Sequence, residues 1–455
     1  MPDSSNQVEL ATRRESVPLR GMTSSPPSLP RIPATQPATD SPYAWARLMV
    51  SLLLMTLGGS GMYSVTVVLP RIQAEFGVAR ADASLPYTLT MIGFGVGGIL
   101  MGKLSDRFGV MVPVLLGAVG LGAGFIAAGS ATSLWQFSLA QGLLIGLFGT
   151  AATFAPLVAD TSQWFTKQRG IAVAICMSGN YVAGAVWPPV LQHFIDSVGW
   201  RQTYIGTGIF CALVMLPLAF ALRRRPPVVD ATVVASASSL ANVANSANTA
   251  NLAKDRPIGM SPAALQTLLC VAGVSCCVAM SMPQVHIVAY CGDLGFGAAR
   301  GAEMLSLMLG FGIVSRLASG WISDRIGGLR TLLLGSVLQG SALLLFFFFN
   351  GLVSLYVVSI LFGLFQGGIV PSYALIVREH FTPKEAGARV GTVLMATLFG
   401  MALGGWMSGA IFDFTGSYRA AFANGIAWNL LNVAIVVWLL LRLRKLKAPL
   451  LTPKF

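Results

Sequence analysis

Charge is scarce in this sequence. Only 10% of its 455 residues are Asp, Glu, Lys or Arg, against about 25% in an ordinary soluble protein. Hydrophobic residues make up 55%, and the mean hydropathy is +0.71. A soluble enzyme, a disordered chain and a nucleic-acid-binding domain are thereby excluded. The alternating segments of about 10 residues that build a membrane β-barrel are missing. The apolar stretches are long and continuous instead, so the chain is expected to be all-α and to have lipid as its main solvent. Acid is scarcest inside those stretches, where none of the 17 Asp and Glu residues lies near the middle. A hydrolase that works through a carboxylate pair within the membrane therefore has no residues to use. The six cysteines, Cys176, Cys211, Cys270, Cys276, Cys277 and Cys291, fall in or beside apolar runs. They lack the spacings of a zinc site and read as small apolar filler.

Nucleotide-binding motifs are present only as look-alikes. Residues Gly93 to Gly98 match G-x-G-x-x-G, but they lie inside an apolar run with no preceding strand. Small residues at such spacing let helices approach closely. There is no G-x-S-x-G and no H-E-x-x-H. No enzymatic activity, cofactor or metal is expected.

What the sequence does have is twelve apolar runs, each long enough for the roughly 20 residues of a spanning helix. The first is near 46–69. Five more follow near 85–104, 110–130, 134–158, 170–195 and 202–222, and six lie near 262–290, 301–321, 330–349, 353–377, 390–412 and 419–442. Residues 1–44, rich in Ser, Pro and Thr, read as a disordered tail, and residues 446–455 as a short C-terminal tail. Residues 223–260, which open on Arg223, Arg224 and Arg225 and continue in an Ala/Ser/Asn-rich stretch, read as a linker. The expected domains are then a six-helix half over 45–222 and a second over 261–445.

Basic residues set the expected orientation. With both termini inside, the inner segments hold 24 Lys and Arg and the outer loops five, namely Arg71, Arg80, Arg201, Arg300 and Arg419. The positive-inside rule then places both tails and the linker in the cytoplasm. The bilayer is the expected partner, and a bacterial-type inner membrane the expected location.

The halves repeat. The stretch Gly102-Lys-Leu-Ser-Asp106-Arg107-Phe-Gly109 follows the second span, and Gly320-Trp-Ile-Ser-Asp324-Arg325-Ile-Gly327 follows the eighth. Asp106 and Asp324 are 218 residues apart, and Arg201 and Arg419 keep the same offset. Repeated halves rocking about a midplane site are a transporter architecture. An Asp in such a loop can cap a helix of the opposite half, and its Arg neighbour can pair with an acid at another helix end. Asp160 and Glu379 are the acids available for that latch.

The repeated G-x-L-x-D-R-x-G loop resembles the signature of the major facilitator superfamily, matched by Gly102, Leu104, Asp106, Arg107 and Gly109, with Val110 and Met111 where a basic pair is usual. The resemblance extends over residues 45–445. It implies a fold of twelve helices in two pseudo-symmetric halves and transport by alternating access through a monomeric unit.

One charge falls inside a span. Arg316 follows the apolar stretch SLMLGFGIV. A buried guanidinium pairs or faces water, and no acid of its own span is near. By position alone it either snorkels to the surface or holds an anion from outside. The run MPQVHIVAYCGDLGF and the eighth span resemble the monocarboxylate-transporter branch and its oxalate/formate-exchanger relatives. There the resemblance implies that Arg316 holds the substrate carboxylate. Two positions depart from the animal pattern. Gly312 stands where those members carry an acid, and Tyr63 where they carry a lysine, so their proton-coupling pair is not preserved. His286, well inside the seventh span, is a candidate for carrying a coupling proton. Asn180, Tyr373, Tyr181, Gln284, Gln366 and Asn429 are further polar groups in spans, Asn180 and Tyr373 being candidate ligand contacts beside Tyr63. The expected function is transport of a small organic anion, a monocarboxylate foremost, with H+ or a counter-anion as coupling partner. A drug or metabolite efflux antiporter is the alternative, and a membrane sensor a more distant one.

Overall fold

A computed structural model describes residues 39–224 and 257–447. Most of the expected N-terminal tail, most of the linker and the last residues lie outside the described residues. Those described form twelve membrane-length helices and no strand. The first set is α1 (Pro42–Phe76), α2 (Arg80–Phe108), α3 (Met111–Gly129), α4 (Leu134–Trp164), α5 (Arg169–Val198) and α6 (Trp200–Ala221). The second is α7 (Pro262–Asp293), α8 (Ala298–Ile326), α9 (Gly328–Phe348), α10 (Leu352–His380), α11 (Pro383–Thr415) and α12 (Tyr418–Lys447).

Several helices outrun the apolar stretches that announce them, because polar end turns satisfy backbone groups that hydropathy does not register. Thus α1 starts at Pro42, inside the expected tail. The Ser41 side chain accepts the Ala44 N–H at 3.3 Å, and Pro42 occupies the first turn, where its missing N–H costs nothing. Ser261 and Pro262 start α7 in the same way. The end of the expected linker is also structured. Ile258 and Gly259 offer their carbonyls to Arg442 of α12 at 3.1 and 2.9 Å.

The same pairings recur in both sets: α2 packs on α4 as α8 on α10, α3 on α6 as α9 on α12, and α1 on α5 as α7 on α11. Contacts between the sets run chiefly through α2 with α11 and α5 with α8, and the 218-residue offset exchanges these two pairs. The closing glycines of the repeated loop match in conformation. Gly109 has φ 86° and Gly327 φ 83°, and each donates its N–H at 2.8 Å to a serine carbonyl, Ser105 or Ser323. That left-handed backbone is strained for any other residue, which accounts for a glycine at the end of both motifs.

Two helices are interrupted at equivalent places. α4 takes π-helical geometry over Ala140–Thr150 and breaks near Phe154. α10 breaks at Gly367 and Gly368. Phe154 and Ala155 at the first break, and Val370 and Pro371 just after the second, line the space between the two sets, where irregular backbone is tolerated within a membrane.

At the end of the bundle that carries the described termini, the base of α1 is tied down. Arg47 makes a two-point ion pair with Asp160 of α4, at 2.9 and 3.0 Å, and donates to the Leu222 carbonyl at 3.2 Å. Trp164 lies against the guanidinium, and both charged side chains are almost wholly buried. Outside the spans, Asp40 accepts from the Thr166 hydroxyl and from the N–H groups of Thr166 and Lys167. The Thr166 hydroxyl foremost holds the Asp40 carboxyl below its usual range.

A candidate substrate cavity

Between the two sets lies a cavity of about 370 Å³, within the usual range for small-molecule sites. Its wall is supplied by α1, α2, α4 and α5 of the first set and α7, α8, α10 and α11 of the second. The remaining four helices stand outside it.

The cavity is closed at one end and open at the other, and the two inter-set pairs show where. Toward the end opposite the termini, α2 and α11 touch closely: a Cβ on Gly409 would fall 2.8 Å from Ser84 Oγ, and one on Gly405 2.9 Å from Tyr87. The Thr88 hydroxyl donates to the Ala402 carbonyl at 3.1 Å. Toward the termini end, a Cβ on Gly98 or Gly102 of α2, or on Gly387 or Gly391 of α11, would meet nothing within 4 Å. α5 and α8 follow the same course. Ser306 donates to the Ala185 carbonyl, whereas Gly170 and Gly320 have open space beside them. The bundle is sealed at the distal end and splayed at the termini end.

Charge holds the distal seal. The backbone N–H groups of Arg80 and Ala81, at the start of α2, donate to the Asp413 carboxylate of α11 at 2.8 and 2.7 Å. An acid capping the positive end of a helix is favourable. The Arg80 guanidinium reaches Asp293 of α7 at 2.8 Å, donates to the Tyr418 hydroxyl and lies over the Phe412 ring at 4.6 Å. One arginine of the first set thus engages three helices of the second.

Arg316 is the one charged residue among the described residues that line the cavity. α8 continues to Ile326, about 15 Å beyond Arg316 at 1.5 Å per residue, so the arginine lies well before the end of its helix. Its Nη1 donates to the Met177 carbonyl of α5 at 3.3 Å, and the guanidinium lies over the Tyr181 ring at 4.5 Å. Its Nε is buried and has no hydrogen-bond partner among the described residues. A buried cationic donor left unpaired is costly, and an anion in the cavity would relieve that cost.

Of the other candidate contacts, Tyr63 and Asn180 line the same cavity. His286 and Tyr373 do not. His286 is fully buried beside the distal seal, with Nε2 2.8 Å from the Gly405 carbonyl and its ring 5.8 Å from that of Tyr418. Tyr373 donates to Asn432 at 2.9 Å inside the second set, where Asn432 in turn donates to Ser336. Tyr181, Gln284 and Thr397 are lining groups with hydrogen-bonding capacity. The part played by Tyr181 is tertiary. A Cβ on Gly312 would fall 2.4 Å from its ring, so the tyrosine fills the space that an acidic side chain at 312 would need. No spacing within one helix could have revealed that pairing.

The expected latch residues lie apart in this conformation. Asp106, Arg107, Asp324 and Arg325 are all exposed at the termini end, with Arg325 stacked on Trp321 at 3.7 Å. Asp160 belongs to Arg47 and not to Arg107. Glu379 caps α9 of its own set, accepting the Gly328 N–H at 3.0 Å.

Comparison with known proteins agrees with this architecture. The Major Facilitator Superfamily profile matches residues 49–354 and 307–454. Monocarboxylate transporter 13 of Rattus norvegicus is 28% identical over 78% of each chain. Monocarboxylate transporter 11 of Homo sapiens is 25% identical over 85% of this chain and 81% of its own. YcxA, an MFS-type transporter of Bacillus subtilis, is 26% identical over 79% and 86%. Among solved structures, a bacterial homolog of the human lysosomal transporter Spinster, in an inward-facing and unoccupied conformation, superposes with a TM-score of 0.62. It is 16% identical and covers 89% of this chain and 96% of its own.

Proposed function

The chain belongs to the Major Facilitator Superfamily, and from that premise we propose that it is a secondary active transporter of organic anions, monocarboxylates foremost, in a bacterial inner membrane. The observation that carries the anionic substrate is Arg316, a lone cation on the cavity wall whose buried Nε lacks a partner. A carboxylate accepts two parallel bonds from a guanidinium and would supply the missing acceptor. Relatives named monocarboxylate transporters support the same class.

Sidedness rests on the Lys and Arg distribution, with 24 in the tails, linker and even-numbered loops against five in the odd-numbered ones. On that assignment the termini end faces the cytoplasm, and the splayed conformation is inward-open. Substrate then enters or leaves between α2 and α11 and between α5 and α8 on the cytoplasmic side. The Arg80–Asp293–Asp413 seal closes the outer side. Reorientation breaks this seal and brings the Asp106 and Asp324 loops together on the inside. Six-helix halves over 45–222 and 261–445, joined by the 223–260 linker, are the bodies that rock.

The deciding experiment is uptake into proteoliposomes with a panel of carboxylates, with and without a pH gradient. Saturable, Arg316-dependent uptake of a monocarboxylate is the expected result. Uptake of neutral or cationic compounds with no carboxylate transport would overturn the proposal in favour of efflux chemistry.

A further inference from the structure

Arg316 offers a single anchoring point, and the wall around it has a character of its own. Methionine is unusually frequent there: Met62, Met177, Met280, Met395 and Met401 all line the cavity. Phe94 and several aliphatic side chains complete a surface that is predominantly apolar. Thioether side chains are unbranched and adapt to irregular apolar shapes. The polar groups apart from Arg316 are neutral, and no acid or second cation lines the cavity among the described residues.

Two consequences follow for any anion seated on Arg316. A second carboxylate on the same molecule would meet no cation and would be desolvated against methionine and phenylalanine, which is strongly unfavourable. An acid of only two or three carbons would occupy a small part of a volume of about 370 Å³ and leave the apolar wall in water. The Tyr181 ring covers one face of the guanidinium and lies against Gly312. That shields the face from the cavity and leaves the guanidinium edge for the carboxylate.

We infer that the cavity selects an amphipathic monocarboxylate, with one carboxylate on Arg316 and a sizeable alkyl or aryl body against the methionine wall, over both short acids and dicarboxylates. This rests on Arg316 as the carboxylate anchor. Affinity is then set by apolar area, each methylene adding about two- to fourfold until the cavity is filled.

The test is equilibrium binding to the full-length protein in detergent, with the Arg316→Ala variant subtracted as background for micelle partitioning. The ligands are straight-chain acids from acetate to octanoate, with adipate and hexanamide as partners to hexanoate. The expected result is affinity rising about two- to fourfold per methylene to at least hexanoate, with adipate at least about tenfold weaker. Met395→Gln should weaken hexanoate more than acetate. A flat series, or adipate equal to hexanoate, would overturn the inference while leaving the anchor in place. Hexanamide binding as tightly as hexanoate would instead remove the anchor. No binding of any acid above the Arg316→Ala background would remove both.

Discussion

Arg80 and Asp413 join the two sets of helices at the distal end, the Asp413 carboxylate accepting both the Arg80 and the Ala81 backbone N–H. The acid caps α2 from the opposite set, so the bond can exist only while that end is closed. Hydrogen bonds to a charged group are worth about 1.5–3 kcal/mol. Asp413→Asn should therefore shift the conformational balance toward the distally open state by roughly tenfold. Spin labels at Thr132, in the distal α3–α4 loop, and at Ser354, in the first turn of α10, report the change as a longer-distance population. An unchanged distance distribution would mean that packing of Tyr87 on Gly405, and not charge, holds the seal.

Arg316 should tolerate no replacement. Lys keeps the charge but loses the planar fork and the stacking on Tyr181, so Arg316→Lys should raise the half-saturating carboxylate concentration about tenfold or more. Arg316→Ala should abolish saturable uptake while the protein still inserts, because insertion follows the apolar runs. Kinetics in proteoliposomes separate these outcomes, and wild-type behaviour of the lysine variant would mean that the arginine only snorkels.

Tyr181 gives a second handle on the same anchor. Replacing Gly312 by Asp, the acid of the animal pattern, should force the Tyr181 ring aside, since even a Cβ there falls 2.4 Å from it. Carboxylate uptake should fall by at least about tenfold, because the new acid neutralises Arg316 and its support is lost. The double variant Gly312→Asp/Tyr181→Ala should recover folding yield but not affinity. Thermal stability and uptake measured side by side distinguish the two effects.

What could be read in advance follows the physics of each feature. Twelve spans were legible because lipid demands long apolar runs, and Arg316 because a charge inside such a run is conspicuous. The glycines closing both loops were legible through their repetition, and the structure adds the positive φ that requires them. His286 and Tyr373 are equally conspicuous as polar residues in spans. Yet depth along a helix does not say which face a side chain occupies, and both point away from the cavity. Tyr181 beneath Arg316, and Arg80 across to Asp293 and Asp413, depend on which helices meet. A single sequence does not encode that in any local spacing.

The proposed topology is open to labelling. A cysteine placed in the 223–260 linker, in a background lacking the six native cysteines, should resist a membrane-impermeant maleimide in intact cells and react fully once the membrane is opened. The 24-to-five basic split requires this outcome through the positive-inside rule. Efficient labelling from outside would invert the topology, and with it the assignment of the splayed end to the cytoplasm.

Asp160 and Asp106 should behave differently, although both were expected in one latch. Asp160 is held by Arg47 in a buried two-point pair, and removing one partner strands the other's charge, at about 3–5 kcal/mol. Asp160→Asn should therefore lower thermal stability markedly in detergent. Asp106 is exposed in this conformation, so Asp106→Asn should leave stability within about 0.5 kcal/mol. Its effect belongs to the opposite state, in which the loops at the termini end close. There the variant should slow transport while leaving carboxylate affinity unchanged. Melting curves and uptake rates on the two variants resolve the roles: equal stability loss would make both residues structural, and wild-type transport by Asp106→Asn would leave the repeated loop without a part in closure.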